Sequence, residues 1–253
     1  MKKYVKIQHP VRGTCNFDLY PFQEEALTDL VENSLNIILK SRQMGISTLT
    51  AAYSLWLMTF FTDKNILIIS ITQETAKEIV TKVRFANDNL PAWLKVQCVE
   101  DNRLSLRLKN GSQIKAVSSA GTAGRSAALS VLIIDEAAFI DNIEEIWLSS
   151  QYTLSTGGRA IILSTPNGVG NFFHKTWVAA EAGENKFNTI RLPWNLHPDR
   201  DQTWRDQQTE LSGIKGAAQE CDCLWGDSTV KILDKNTGIE YEISLENLYS
   251  HLI

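Results

Sequence analysis

The sequence predicts a three-layer α/β domain carrying a short all-β appendage at its C-terminal end. Short, continuously apolar, β-branched runs alternate with longer segments of helical period. One antiparallel hairpin interrupts that alternation, and the texture of the chain changes from residue 223 onward. Strands this apolar are expected where helices cover both faces of a mostly parallel sheet, and a βαβα order with one insert fits such a domain.

Taken in order, Phe22–Val31 reads as the first helix and Asn36–Lys40 as the first strand. A helix over Thr48–Phe60, a strand over Asn65–Ser70 and a helix over Glu74–Ala86 follow. The hairpin is Leu104–Leu108, a turn at Lys109-Asn-Gly-Ser112, and Gln113–Val117. Asn110-Gly111 is the pair a tight hairpin turn prefers, because both positions tolerate positive φ. The alternation then resumes as strand Val131–Ile134, helix Ile143–Gln151, strand Arg159–Ser164, helix Phe172–Glu181 and strand Thr189–Leu192. Leu196–Gly216 is polar, with a short helix over Asp201–Leu211. Beyond Cys223, Ser228–Leu233 and Ile239–Ile243 alternate with period two around a turn at Asp234–Gly238, which reads as a β-hairpin. Leu245, Leu248 and Leu252 then fall at helical spacing.

Composition narrows the class. With 253 residues, 43% of them hydrophobic and 21% charged, the chain can bury a sizeable core. A net charge of −4 excludes a generally basic DNA-coating protein, so any nucleic-acid contact must be local or supplied by partners. Cys15, Cys98, Cys221 and Cys223 lack CxxC spacing, and with no signal peptide they read as reduced thiols of a soluble intracellular protein. The apolar stretch Ala51–Phe61 is too short to span a bilayer and includes Tyr53 and Ser54, so no membrane partner is expected.

Two half-sites carry chemistry. The first strand runs into Lys40-Ser-Arg-Gln-Met-Gly-Ile-Ser47 and then a helix, which is the strand–turn–helix context of a phosphate-binding loop. Gly45 permits close approach, and Ser47 stands where a hydroxyl would ligate Mg²⁺. The usual first glycine is replaced by Lys40 and the usual lysine by Ile46, so the loop charge has moved to the start. An ordinary strand–helix turn is the bland alternative. The second half-site is Val131-Leu-Ile-Ile-Asp-Glu136, an apolar strand ending in two carboxylates at the edge where open α/β sheets bind ligands. Asp135 is placed to hold Mg²⁺ and Glu136 to polarise a water for attack on a γ-phosphate; a solvated strand end is the alternative. Leu163-Ser-Thr-Pro-Asn-Gly168 could sense the γ-phosphate, and in Tyr20-Pro-Phe-Gln23 an aromatic ring and an amide could receive adenine. Arg42 or Arg125 is a candidate arginine finger or a surface salt bridge.

Tyr20-Pro-Phe-Gln23, Lys40-Ser-Arg-Gln-Met-Gly-Ile-Ser-Thr48, Ile133-Ile-Asp-Glu-Ala-Ala-Phe139 and Leu163–Gly168 together resemble the N-terminal ATPase domain of tailed-phage terminase large subunits. The resemblance covers roughly residues 15–222. It implies a P-loop NTPase of the additional-strand, RecA-like type that binds ATP and Mg²⁺. Nucleotide contacts would come from Tyr20, Gln23 and the whole loop: Lys40, Ser41, Arg42, Gln43, Met44, Gly45, Ile46, Ser47 and Thr48. Ser47 and Asp135 would hold the metal, Glu136 would be the base, Arg42 or Arg125 the finger, and Ser164-Thr165 the link from hydrolysis to translocation. Lys40 looks like the family's displaced loop lysine. The implied partners are double-stranded DNA, a portal, a small terminase subunit and further copies in a ring, at the viral procapsid in the host cytoplasm. A helicase-like P-loop ATPase, or a catalytically weak nucleotide-binding scaffold, is the alternative.

Gln219-Glu-Cys-Asp-Cys223 resembles the passage by which that family leaves the motor region, ahead of its nuclease domain. Cys223-Leu-Trp-Gly-Asp-Ser-Thr-Val230 resembles the first block of an intein, with Cys223 as the nucleophile of an N-to-S acyl shift. The expectation is therefore a motor domain over residues 1–222 and a split-intein N-terminal fragment over 223–253. A separate C-terminal intein fragment carrying the nuclease domain would be its partner. The competing reading of Cys223 is a buried thiol that opens the nuclease domain.

Overall fold

The computed structural model of the chain describes residues 3–119, 128–225, 228–233, 238, 240–245 and 247. A small hairpin, β1 (Lys6–His9) and β2 (Gly13–Asn16), precedes α1 (Pro21–Glu32). Then come β3 (Leu35–Lys40), α2 (Ile46–Phe60), β4 (Asn65–Ser70), α3 (Gln73–Asp88), β5 (Cys98–Asn102), β6 (Ser105–Leu108) and β7 (Gln113–Ser118). The second half holds β8 (Val131–Asp135), α4 (Ile143–Leu154), β9 (Arg159–Ser164), α5 (Phe172–Glu181), β10 (Asn188–Leu192) and α6 (Gln202–Ala217), and ends in β11 (Thr229–Leu233) and β12 (Glu240–Ser244).

Eight strands form one sheet in the order β10-β3-β9-β8-β4-β7-β6-β5. The pairings from β10 to β7 are parallel, and only β7–β6 and β6–β5 are antiparallel. One strand, β9, lies between β3 and β8, so the phosphate-loop strand and the acidic strand are not neighbours. Because successive side chains leave a strand on opposite faces, the continuous apolar runs fill two layers. Ile38, Ile66, Ile68, Val131, Ile133 and Ile161 pack with residues of α1, α2 and α3. Ile37, Leu39, Leu67, Ile69, Leu132, Ile134 and Ile162 pack with residues of α4 and α5. The three-layer expectation is what the structure has.

Differences are local. At the β6–β7 turn only Gly111 takes a positive φ, 86°, and Asn110 does not. The Asn110 side chain is spent elsewhere, donating to Met58 O at 2.8 Å and accepting from Ser112 N at 3.2 Å, which ties the turn to the end of α2. The helix expected over 201–211 extends to Ala217, with a break at Gly213 (φ 74°, ψ 167°). The tail hairpin forms as a separate two-stranded sheet. Arg125, Gly226, Asp227, Leu248 and Leu252 lie outside the described residues.

Candidate functional site

The C-terminal ends of β3, β8 and β9 bring the predicted half-sites together. β3 ends at Lys40, and Ser41–Gly45 turns the chain into α2. Gly45 is required twice: its φ is +73°, and a Cβ there would lie 2.6 Å from Gln23 Nε2. Ile46, at the position where such loops usually carry lysine, is 1% exposed and belongs to the core, so no charge is delivered from there. Ser47 Oγ donates to Asp135 Oδ2 at 3.1 Å, across 88 positions of sequence. Asp135 is buried at the end of β8, and burial raises its pKa above the ordinary carboxylate value, with Lys40 opposing that shift.

Glu136, the next residue, sits in the left-handed region (φ 54°, ψ 41°). That conformation is disfavoured for a side chain with a Cβ and is held where surroundings over-determine it. Here the surroundings are visible. Asp135 Oδ1 accepts from Glu136 N at 3.0 Å, and Lys40 Nζ donates to Glu136 Oε1 at 3.1 Å. Two residues later the backbone of Ala138 is gripped from both ends by the β9 exit: its N–H donates to Ser164 Oγ at 3.1 Å and its O accepts from Asn167 Nδ2 at 3.0 Å. Thr165, expected to couple hydrolysis to movement, is buried between these two anchors.

Other predicted residues are engaged differently from the expectation. Lys40 pairs with the candidate base, so in this structure its ammonium serves Glu136 rather than standing free in the loop. Gln23 uses both ends of its amide within the protein: Oε1 accepts from Tyr20 N at 3.1 Å, and Nε2 donates to Met44 O at 2.9 Å. Tyr20 stacks on Phe22 and packs against His197 with ring centroids 4.7 Å apart, while its hydroxyl donates to Asp199 Oδ2 at 3.3 Å. Arg42 is 71% exposed, its Nε 2.8 Å from Glu220 Oε2, an ion-pair distance without hydrogen-bond alignment.

Cys223, expected as a nucleophile, is a core residue here. It is fully buried in the layer of Leu39, Phe173 and Trp225, and its thiol donates to Leu192 O at 3.3 Å and Leu39 O at 3.7 Å. Burial pushes its pKa up to about 12. Asp222 beside it is clamped by Arg205, whose Nε and Nη2 donate to the two carboxylate oxygens at 2.6 and 2.5 Å.

Sequence reasoning missed Arg200. Its Nη2 donates to Arg42 O at 3.0 Å and Gln43 O at 3.2 Å, and its guanidinium lies 4.4 Å from the centre of the Trp204 ring. No local pattern marks it, because its partners stand 157 and 158 positions earlier.

Comparisons with known proteins agree on the architecture. The family described as "Terminase large subunit, T4likevirus-type, N-terminal" matches residues 37–241, a span that runs past Cys223. The fold is similar to the large terminase ATPase domain of Thermus phage P74-26, with a TM-score of 0.67 at 21% identity, covering 82% of this chain and 95% of that one. It is also similar to the HK97 bacteriophage large terminase, with a TM-score of 0.67 at 14% identity, over 93% of this chain and 56% of that one. The large terminase of a thermophilic bacteriophage, in complex with ATP-gamma-S, has a TM-score of 0.61 at 14% identity, over 87% of this chain and 57% of that one. The chain thus spans a little over half of these last two chains.

Proposed function

The chain belongs to the terminase large-subunit family, as its T4-like-virus-type N-terminal part, and on that premise we propose that it hydrolyses ATP to drive DNA packaging. The observation that carries this reading is the meeting of Ser47 with Asp135 at 3.1 Å, with Glu136 next in the chain at the same sheet edge. ATP would lie along the loop with its phosphates toward Ser47 and the first turn of α2. The donor set fits Mg²⁺: a hydroxyl and one buried carboxylate, both hard oxygen ligands, leaving the remaining positions to phosphate and water. When bound, the ion supplies charge neutralisation across the phosphates.

The chain's own groups do the rest. Glu136 accepts a proton from the attacking water, and Lys40, 3.1 Å from it, orients the carboxylate until phosphate competes for the ammonium. Ser164 and Asn167 hold the turn after Glu136, so a shift of the base moves the β9 exit and the elements beyond it. DNA, a portal, a small terminase subunit and neighbouring copies in a ring are the partners this reading requires. Replacing Glu136 with Gln tests it: turnover of ATP should fall at least about a hundredfold while ATP still binds. Wild-type turnover in E136Q removes Glu136 from the role of base.

We further propose that residues 223–253 act as the N-terminal fragment of a split intein, joining this motor to a nuclease half supplied by a separate chain. The Cys223–Val230 block, the left-handed backbone at Cys223 (φ 55°) and a hairpin with its own sheet support it. In the first step Cys223 Sγ bonds to the carbonyl carbon of Asp222, the Asp222–Cys223 C–N bond breaks, and the thiol proton ends on the freed α-amine. Two observations weigh toward a continuing terminase chain instead: the family match to residue 241 and the burial of Cys223. Mixing the chain with a C-terminal intein fragment decides between them by mass spectrometry. A ligated product lacking residues 223–253 is expected, and one that retains Leu224 and Trp225 overturns the splicing reading.

A further inference from the structure

We propose that Arg200 is the positioning residue of the phosphate loop, holding the loop's carbonyls outward so that its amides face the nucleotide; this rests on the ATP-site reading above. A phosphate cradle is built of N–H groups, and a loop presents them only if its C=O groups are satisfied elsewhere. In a trans peptide the C=O of one residue and the N–H of the next point in opposite directions, and the described residues contain no cis peptide bond. Fixing the carbonyls of residues 42, 43 and 44 therefore aims the amides of residues 43, 44 and 45.

All three carbonyls are taken from outside the loop. Arg200 Nη2 donates to Arg42 O at 3.0 Å and to Gln43 O at 3.2 Å, and Gln23 Nε2 donates to Met44 O at 2.9 Å. Arg200 Nη1 adds contacts to Ser41 Oγ at 3.3 Å and Met44 Sδ at 3.5 Å. Gln43 is held at φ 57°, a conformation that a non-glycine residue adopts only under constraint, and the residue's own carbonyl is one that Arg200 grips.

The guanidinium suits this task and an ammonium does not, because a rigid planar fork reaches several acceptors at once. Its own placement is fixed from the other side by Trp204, and the connection that carries it docks on the start of α1 through Tyr20–His197 and Tyr20–Asp199. The same helix supplies Gln23, so the two braces share one support. The cradle is therefore completed by a segment beyond the last strand of the sheet.

The full chain, titrated with ADP in the presence of Mg²⁺, tests the assignment. Arg200→Ala should raise the Kd for ADP roughly tenfold or more, the loss expected when charged hydrogen bonds are removed, and Arg200→Lys should fall between it and the wild type. The KM for ATP should rise in parallel while kcat changes less, since the amides hold substrate and transition state alike. A merely structural role would lower the melting temperature and leave the affinity of the folded protein unchanged. Folded Arg200→Ala with a Kd within about twofold of wild type overturns the proposal. If Arg200→Ala does not fold, a wild-type Kd in Arg200→Lys overturns it instead. A wild-type chain that binds neither ADP nor ATP overturns the ATP-site reading, and this proposal with it.

Discussion

Glu136 and Cys223 share a backbone conformation and differ in everything that makes a group reactive. Both are non-glycine residues in the left-handed region, at φ 54° and 55°. The Glu136 side chain is 31% exposed at the sheet edge and paired with Lys40, whereas Cys223 is 0% exposed and hydrogen-bonded to two backbone carbonyls. Strain at a residue is thus compatible with a part-exposed, ion-paired carboxylate in one place and an enclosed core thiol in another. Access separates the two, and it follows from the packing around each residue. Glu136 lies just beyond the end of β8, whereas Cys223 lies in the core cluster with Phe173 and Trp225.

The largest effect expected from this contrast is chemical. A thiol whose pKa is raised from 9.0 to about 12 carries about a thousandfold less thiolate at neutral pH. Because the thiol is also enclosed, alkylation of Cys223 in the folded chain should be far slower than that of the half-buried Cys15, measured by peptide mapping after timed iodoacetamide treatment. The buried thiol also sets an alkaline limit. Its contribution to stability is complete below about pH 9, where the thiol is protonated in the folded and unfolded chain alike, and is lost as pH rises toward 12 because the unfolded thiol ionises first. Alkylation of Cys223 at the rate of Cys15 in the folded chain would break the comparison. If splicing operates, addition of the C-terminal fragment should abolish the protection, because Cys223 must leave the core to attack Asp222.

The middle effect sharpens the Glu136 side. Lys40→Ala removes the cation beside two carboxylates, one of them buried, and leaves Glu136 without its 3.1 Å partner. A loss of about 1–3 kcal/mol of stability is expected from uncompensated charge, together with roughly tenfold weaker ATP binding if the ammonium also meets phosphate. Lost stability with unchanged ATP affinity would confine Lys40 to Glu136, the role the structure shows.

How much of this was legible in the sequence depended on whether the controlling forces were local. The parallel strands β3, β4, β8 and β9 lie where the apolar runs placed them, because a strand buried on both faces must be continuously apolar. Ser47 and Asp135 were legible as half-sites, since a strand–turn–helix and an acidic strand end each have a local signature. By contrast, β1 and β5 are mostly exposed edge elements with polar residues such as Lys6, Gln8, Glu100 and Asp101, and they carry no burial pattern to read. The engagement of Gln23 with Met44 and of Lys40 with Glu136 depends on which side chains meet in space, and spacing does not disclose that. The same holds for Asn110: the dipeptide marked the turn, but not that a distant helix end would claim the Asn110 side chain and that Gly111 alone would take a positive φ.

The smallest effect is expected in the tail, and its smallness is the content of the prediction. β11 and β12 pair only with each other among the described residues, while every strand of the large sheet is bonded to another of that sheet. Among the described residues, the buried ones of this region are Cys223 and Trp225, both of which precede β11. Thr229 is exposed and donates to the exposed Glu242 at 2.7 Å, a cross-strand contact within the hairpin. Thr229→Ala should therefore change the unfolding free energy of the motor by less than about 0.5 kcal/mol, as surface substitutions away from caps and cores do. Chemical denaturation followed by tryptophan fluorescence measures it, because the chain's 7 tryptophans all lie at or before residue 225. A loss of about 1 kcal/mol or more would mean that the hairpin unfolds with the motor as one cooperative unit. In that case the tail is part of the domain rather than an appendage, and a fragment that must leave the motor intact could not begin at Cys223.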